Sequence, residues 1–570
     1  MKIIFETIRF IRLILPKQYK LRAIGIGILL FINSGLELLG LGALYPVFAV
    51  LLVDSVVEKF GWAKWIYNSF GMTDERQLIV VLAVALFVIF IIKNLLSLWI
   101  TKIQSIFSLS LYREFTLKLH EIYYRRGFSF FKTTNSNIIM RDIKVATERF
   151  SQSHVLGLLN FANEIVVLLA IVISIAIYDI RIFVLLLLTV IPPFYFFYRW
   201  VGRQSITLSA IRNRIEPIIG KNIFQSINGY VDIIISGSEK VFRKRIEENV
   251  EELVNVNVKT NIYNLAPTRV IETFLMLAIA IMIAYGIYYL PSKADLVKLL
   301  GLFAIAGYRI LPSINRMMIA INGINQNYWV FKILTPLISE KINKIEIEKE
   351  VSFKNHLKLK HINFAYSENT KNILTDYSLT IKKGEVIGLV GPSGAGKTTI
   401  MNILLGFLIP QKGTYEIDDV ILTTENLKSF YKKVGYVQQQ VYLVDGTISE
   451  NVAFGCENHE IDIEKLKKVL DQASLTEFMA NLPDGINTMI GENGAKLSGG
   501  QRQRIGIARA LYFNAEILFF DEATSSLDIQ TEKDITESIN KLADGKLTMI
   551  IIAHQLSTLK SCDRIEKIIG

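Results

Sequence analysis

Six apolar runs crowd the first 330 residues of this chain, and only shorter ones follow. They lie at about 23–53, 77–103, 158–179, 181–201, 270–290 and 296–322. Each has the roughly 20 residues that carry a helix across a bilayer. Only a helix or a closed barrel satisfies every backbone N–H and C=O inside hydrocarbon. The runs therefore predict a polytopic α-helical membrane domain of six spans over residues 1–330. After 350 the apolar runs shrink to strand length, as in VIGLV at 386–390 and ILFF at 517–520, and alternate with polar helical segments. That pattern predicts an α/β domain over 351–570 with a largely parallel sheet. Residues 331–350, which end in the Lys/Glu-rich EKINKIEIEKE, read as the linker.

Charge sets the orientation. The net charge is +11, and in a chain with mean hydropathy of +0.36 it points to basic cytoplasmic loops rather than to nucleic acid. The N-terminal segment and the long connections 104–157 and 202–269 hold much of the Lys and Arg, so both termini and both connections belong in the cytoplasm. The long connections read as helices that continue beyond the membrane. The N-terminal MKIIFETIRFIRLILPK reads as an interfacial helix; Glu6, Arg9 and Arg12 break the apolar run a signal peptide needs. In 54–76, Trp62, Trp65, Ile66 and Phe70 recur at roughly helical spacing. A short interfacial helix and a plain loop with belt aromatics both fit. The two cysteines, Cys456 and Cys562, make neither a disulfide framework nor a metal cluster.

GPSGAGKTT, Gly391 to Thr399, follows the apolar run VIGLV and matches the phosphate-loop spacing. In such a loop Gly391, Ser393, Gly394 and Gly396 bring backbone N–H groups to phosphates. Lys397 reaches the β/γ-phosphates, Thr398 supplies a hydroxyl for Mg²⁺, and Thr399 continues the helix. The nucleotide and ion are ATP and Mg²⁺. ILFFDE at 517–522 is the matching strand: Asp521 suits Mg²⁺, and Glu522 suits polarisation of the attacking water. Taken alone, a surface acid pair at a strand end fits that hexapeptide equally well; the upstream phosphate loop makes the difference.

Between these lies LSGGQ at 497–501, which resembles the signature of ATP-binding cassette (ABC) proteins. Other motifs follow the family's order: Tyr366 in FAY, Gln439 in YVQQQ, GENG at 491–494, SSLD ending at Asp528, and His554 in AHQLST. The resemblance implies an ABC exporter half-transporter. It casts Tyr366 as the adenine-stacking aromatic and Gln439 as the sensing glutamine, a Mg²⁺ ligand with Thr398 and Asp521. Glu522, His554 and Gln439 become the catalytic set. Ser498, Gly499, Gly500, Gln501 and Asp528 complete nucleotide binding, the signature acting on the site of a second subunit. Two departures stand out: Gln438 where the family has Pro, and Gln555 where it has Arg. Family members run on past the point of Gly570, so a trimmed end is expected. One cassette with six spans implies a homodimer; a heterodimer is the alternative. FFKTTNSNIIMRDI at 130–143 and INGYVDIIISGSEKVF at 227–242 resemble the exporters' two cytoplasmic coupling segments.

Basic residues in or beside the spans bear on the cargo. Lys93 lies deep in span 2, Arg269 opens span 5, and Arg309 and Arg316 sit in span 6 around Pro312. Each would cost at least ~2.5 kcal/mol facing lipid at mid-membrane. Two readings stand: pairing with carboxylates such as Glu37 and Glu272, or a cavity lining that attracts anions. GLELLGLGALYP, PTRVIE and YRILPSINRM resemble spans of PglK-type lipid-linked oligosaccharide flippases of bacterial N-glycosylation, with Arg269 one place from that family's Pro-Arg. This implies a polyprenyl-diphosphate glycan held by Lys93, Arg269, Arg309 and Arg316, and flipped to the outer leaflet of the bacterial cell membrane. The alternatives are a lipid A-type exporter and a multidrug or peptide exporter. Processing peptide exporters are expected to carry an N-terminal protease domain, for which little room precedes the first span.

Overall fold

No Gly or Pro occurs between Glu75 and Arg126, so nothing in the sequence stops a helix that starts in the second apolar run. In the computed structural model that helix covers 51 residues, about 76 Å at 1.5 Å per residue, and ends where Gly127 turns to φ +76°. The structure describes the chain apart from residues 1, 44–45, 48–49, 51–55, 179, 290–292, 337–339, 341–348, 367–371, 523–528, 543–546, 554–558 and 569–570. The chain divides into two units. The first comprises Met1–Arg126 and Phe130–Ile342; the second comprises Asn343–Gly570 with Gly127–Ser129.

The first unit is helical. Its main elements are α1 (Lys2–Ile14), α2 (Lys17–Gly42), α3 (Gly61–Ser69), α4 (Glu75–Arg125), α5 (Gly157–Tyr178), α6 (Ile180–Asn228), α7 (Glu239–Tyr289) and α8 (Lys293–Gln326). Among the described residues, four stretches are long and apolar enough to cross a membrane: Lys17–Glu37, Arg76–Arg125, Ser136–Ile173 and Glu239–Tyr288. The expected spans 181–201 and 296–322 fall within α6 and α8. On α4, Val80, Val84, Phe87, Ile91, Leu95 and Leu98 form an exposed apolar stripe at helical spacing. In water such a stripe would be a liability; against lipid it is the favourable surface. The long connections are helical, with α4, α6 and α7 all running far beyond a bilayer's thickness.

The 54–76 connection takes the helical alternative. Helix α3 buries Ala63 and half-buries Trp62 and Ile66 against Leu78 and Leu82 of α4, while Trp65 and Phe70 face outward. The start of the expected linker is part of the first unit. Val330 and Leu334, on one turn-and-a-half of helix, are fully buried beside Phe115 and Phe150. Two apolar side chains four apart found a core to enter, so the division falls later, at Ile342.

The second unit has two sheets. One is antiparallel, ordered β2-β1-β4-β5, from β1 (His356–Phe364), β2 (Leu374–Lys382), β4 (Lys412–Ile417) and β5 (Val420–Ile421). The other is parallel, ordered β6-β7-β8-β3-β9, from β3 (Val386–Val390), β6 (Val434–Val437), β7 (Ile517–Asp521), β8 (Thr548–Ile552) and β9 (Arg564–Lys567). The central strands β3, β7 and β8 are buried on both faces, which is why they read as nearly unbroken apolar runs, while the edge strand β9 is mostly exposed. The antiparallel sheet escaped the sequence reading, because its strands alternate Leu or Ile with Lys, Thr and Asp.

Candidate functional site

The register places the chemistry. Strand β8 lies between β3 and β7, with Ile552 opposite both Leu389 and Asp521. The phosphate loop leaves the carboxyl end of β3, and Asp521 with Glu522 leave the carboxyl end of β7. Both sets converge at the edge where open α/β sheets bind ligands. The loop leads into α9 (Lys397–Leu404), whose N-cap is Gly396 at φ +95°. Gly391 is obligatory for a different reason: a Cβ there would lie 2.5 Å from the Ile568 carbonyl oxygen. Gly394, at φ +84°, has nothing within 4 Å of its Cβ position, so the loop's outer face is open to a ligand. Ser393 and Thr398 are exposed on that face, while Thr399 is buried.

Lys397 is buried, and its ammonium donates to the carbonyls of Gly391 (2.8 Å) and Pro392 (3.0 Å). Its charge is thereby held inside the curl of the loop. Tyr366 is 61% exposed. Its hydroxyl lies 3.3 Å from that of Thr399, and its ring meets Phe364 edge-on at 5.2 Å. An exposed aromatic anchored beside the loop offers a stacking face for a base.

Across the sheet edge, the Tyr436 hydroxyl donates to Asp521 at 3.3 Å. Burial holds the Asp521 carboxyl above its ordinary range, and the Glu522 charge pushes the same way, against the Tyr436 bond and Lys397. Glu522 sits at φ +48°, a left-handed conformation that costs a non-glycine residue free energy. Its amide donates to the Ile552 carbonyl, and its carboxylate accepts from the Gln439 side chain at 3.0 Å. The structure thus brings Lys397, Asp521, Glu522 and Gln439 to one edge. The oxygen donors Thr398 and Asp521 with an amide oxygen suit a hard cation such as Mg²⁺. Asp528 and His554 lie outside the described residues; β8 ends two residues before His554.

The signature begins α10 (Gly499–Tyr512). Ser498 caps it reciprocally: its Oγ accepts from the Gln501 amide (3.3 Å), and the Gln501 side chain accepts from the Ser498 amide (2.8 Å). The amides of Gly499 and Gly500 remain at the positive end of a 14-residue helix. One turn on, Gln503 is a residue the sequence reading missed. It is 4% exposed, and its amide donates to the carbonyls of Gln439 (2.6 Å) and Gln438 (3.2 Å). It ties the signature helix to the glutamine beside Glu522. Gly506 permits this approach, since a Cβ there would meet Val441 at 2.7 Å.

This geometry has counterparts among known proteins. Residues 374–525 match the family model described as ABC transporter. Over 96% of this chain and 93% of the other, the fold superposes with a TM-score of 0.77 on a bacterial Atm1-family ABC exporter solved with ATP bound, at 22% identity. The chain has the fold of an ABC exporter, with an ABC transporter region at 374–525. Its relatives include an ATP-dependent lipid A-core flippase of Ralstonia nicotianae, 30% identical over 67% of this chain and 64% of that protein. They also include a multidrug resistance ABC transporter ATP-binding and permease protein of Lactococcus lactis, 34% identical over 58% of this chain and 56% of that one. The chain therefore spans less than two thirds of the length of these relatives.

In the membrane unit of this ABC exporter fold, three of the four expected cations are paired. Lys93 meets Glu37 at 2.8 Å, with side chains only 13% and 14% exposed. Arg269 meets Glu272 at 3.0 Å on the surface of α7. Arg316 grips Glu164 with two bonds, Nε to Oε1 at 2.7 Å and an NH2 contact to Oε2 at 3.1 Å. Arg309 lies within α8, and its side chain is outside the described residues. Pairing with Glu37 and Glu272 was legible from the sequence. Glu164 was not singled out, although a lone carboxylate in the apolar run NEIVVLLAIVISI was a signal.

Proposed function

We propose that this chain is one half of a homodimeric ATP-driven exporter of the bacterial cell membrane. It spans the membrane six times with its ATP-binding unit in the cytoplasm. Its cargo is a lipid carrying a diphosphate, of the lipid-linked oligosaccharide type, moved from the cytoplasmic to the outer leaflet. The observation that carries the cargo is the Arg316 guanidinium on a membrane helix. It is 44% exposed beside a 5% exposed carboxylate and lines a cavity of about 320 Å³ with Gln152, Asn160 and Glu164. A planar fork of donors suits a phosphate ester. Lys93, Arg269 and Arg309 supply the remaining positive charge along the route. A second reading, a lipid of the lipid A-core type, is favoured by the relatives' names and carries phosphate too.

In the ATP site, Tyr366 stacks on the adenine and the amides of 393–399 cradle the phosphates. Lys397 leaves the Gly391 and Pro392 carbonyls for the β/γ-phosphates. Thr398, Asp521 and Gln439 would hold Mg²⁺, which would supply positive charge against the phosphates. Glu522, aimed by its left-handed backbone and by Gln439, orients the attacking water and accepts its proton, with His554 assisting. Ser498, Gly499, Gly500 and Gln501 of each protomer close on the nucleotide held by the other, with Asp528 at that seam. Closure and release then drive the membrane unit between states.

The test is ATP-dependent movement of a labelled polyprenyl-diphosphate oligosaccharide across proteoliposomes, scored by an enzyme added outside. Movement that disappears in Glu522→Gln supports the reading. Hydrolysis without movement of this lipid overturns the cargo and directs the assay to lipid A.

A further inference from the structure

Arg316 is held by a built arrangement rather than by a chance surface partner. Glu164 on α5 is 4% exposed, and both of its oxygens accept from the guanidinium of Arg316 on α8. A second donor steadies it: the Asn163 side-chain amide reaches Glu164 Oε1 at 3.3 Å. Asn163 in turn accepts from the Asn33 amide at 3.1 Å and from Ser34 at 3.4 Å, both on α2 and both buried. Three membrane helices are thus joined through one polar chain, Asn33–Asn163–Glu164–Arg316. The Glu164–Arg316 end opens into the cavity of about 320 Å³, a size within the roughly 300–1,000 Å³ of small-ligand sites.

A carboxylate and a phosphate ester present the same pair of oxygens to a guanidinium. Glu164 therefore occupies the groups of Arg316 that an arriving phosphate would need. We propose that Glu164 is an internal counter-anion for the cargo site: a phosphate-bearing lipid headgroup displaces it from Arg316, and it returns when the headgroup leaves. Asn163 makes displacement feasible, because it continues to donate to the freed carboxylate inside the protein. The exchange keeps Arg316 neutralised in every state, while the displaced carboxylate, left with a neutral donor alone, is driven to return. It also lets cargo leave, since Glu164 competes for the same donors. The proposal rests on the anionic-lipid reading above and assigns Glu164 as a specificity-determining residue within it.

The test is equilibrium binding to the full chain in lipid nanodiscs, with two probes: farnesyl diphosphate as headgroup with tail, and inorganic pyrophosphate as headgroup alone. Glu164→Gln keeps the shape and one acceptor oxygen, puts an NH2 donor in place of the other, and removes the competing charge. It should bind farnesyl diphosphate about tenfold or more tightly than the parent, and slow its release. Arg316→Gln should lose binding, and the double variant should resemble Arg316→Gln. Equal tightening for pyrophosphate places the selectivity in the headgroup; tightening for farnesyl diphosphate alone places part of it in the tail. Both outcomes support the exchange. If Arg316→Gln loses binding while Glu164→Gln binds no more tightly than the parent, the counter-anion idea is overturned and the cargo reading stands. If neither variant changes binding, both are overturned. Folding of each variant is checked by monodisperse elution and by thermal melting of the membrane unit in the nanodisc.

Discussion

Replacing Gln503 tests whether the signature helix positions the glutamine beside the catalytic carboxylate. Gln503 is buried and its one amide nitrogen serves two carbonyls, at 2.6 and 3.2 Å. Gln503→Ala strands both acceptors. At about 1–3 kcal/mol for a buried group left unsatisfied, and with the longer bond weaker, the loss is about 2–3 kcal/mol. In a unit of this size each kcal/mol moves the melting temperature by roughly 2–4 °C, so a fall of about 4–12 °C is expected. Function should suffer separately, because Gln439 is then free to drift from Glu522, with which it makes a 3.0 Å bond. A loss of about 1.4 kcal/mol in transition-state stabilisation would slow turnover about tenfold. The assay is ATP hydrolysis by the reconstituted chain with kcat and KM resolved, beside thermal melting. The decline should fall on kcat, with KM for ATP little changed. Gln503→Glu should be worse on both counts, since it sets a buried acceptor against two acceptors. If Gln503→Ala melts and hydrolyses like the parent, or if Glu is tolerated as well as Ala, the tether does not act as argued.

Lys93→Ala should destabilise the membrane unit by about 1–3 kcal/mol, because the largely shielded Glu37 loses its 2.8 Å bond to the ammonium; Lys93→Met with Glu37→Gln should restore most of that, read as melting in detergent. Arg269→Ala should change stability by less than about 1 kcal/mol, its pair with Glu272 being exposed; a larger loss would mean the pair is shielded. The raised Asp521 carboxyl gives a signed pH effect. Its protonation favours the folded state fully below the ordinary value of 3.8, and this contribution is lost as pH rises through the folded value. Hydrolysis runs the other way, since Mg²⁺ needs the carboxylate. Tyr436→Phe removes a bond that lowers this pKa, so the acid limb of kcat/KM should move to higher pH; a downward move would contradict the assignment.

Much of the ATP site was legible because its chemistry is local. A phosphate loop needs Gly391, Gly394, Gly396 and Lys397 at fixed spacing, and its backbone does the binding. Glu522 was legible from ILFFDE, but its left-handed backbone was not, since that follows from how β7 ends against β8. Gln503 gave no signal because its partners are carbonyls 64 and 65 residues away in sequence, set by helix packing. Asp528, His554 and the Arg309 side chain are positions that the sequence names and the described structure does not reach.

The sequence by itself determined that this chain crosses a membrane and binds a nucleotide. Both are written in short windows: twenty apolar residues exclude water whatever surrounds them, and nine loop residues make a phosphate cradle wherever a strand and helix flank them. Only the tertiary structure decided what becomes of the membrane cations. Lys93 meets a carboxylate 56 residues away and Arg316 one 152 residues away. Such pairings depend on which helix faces turn toward each other, and that is fixed by the packing of whole helices.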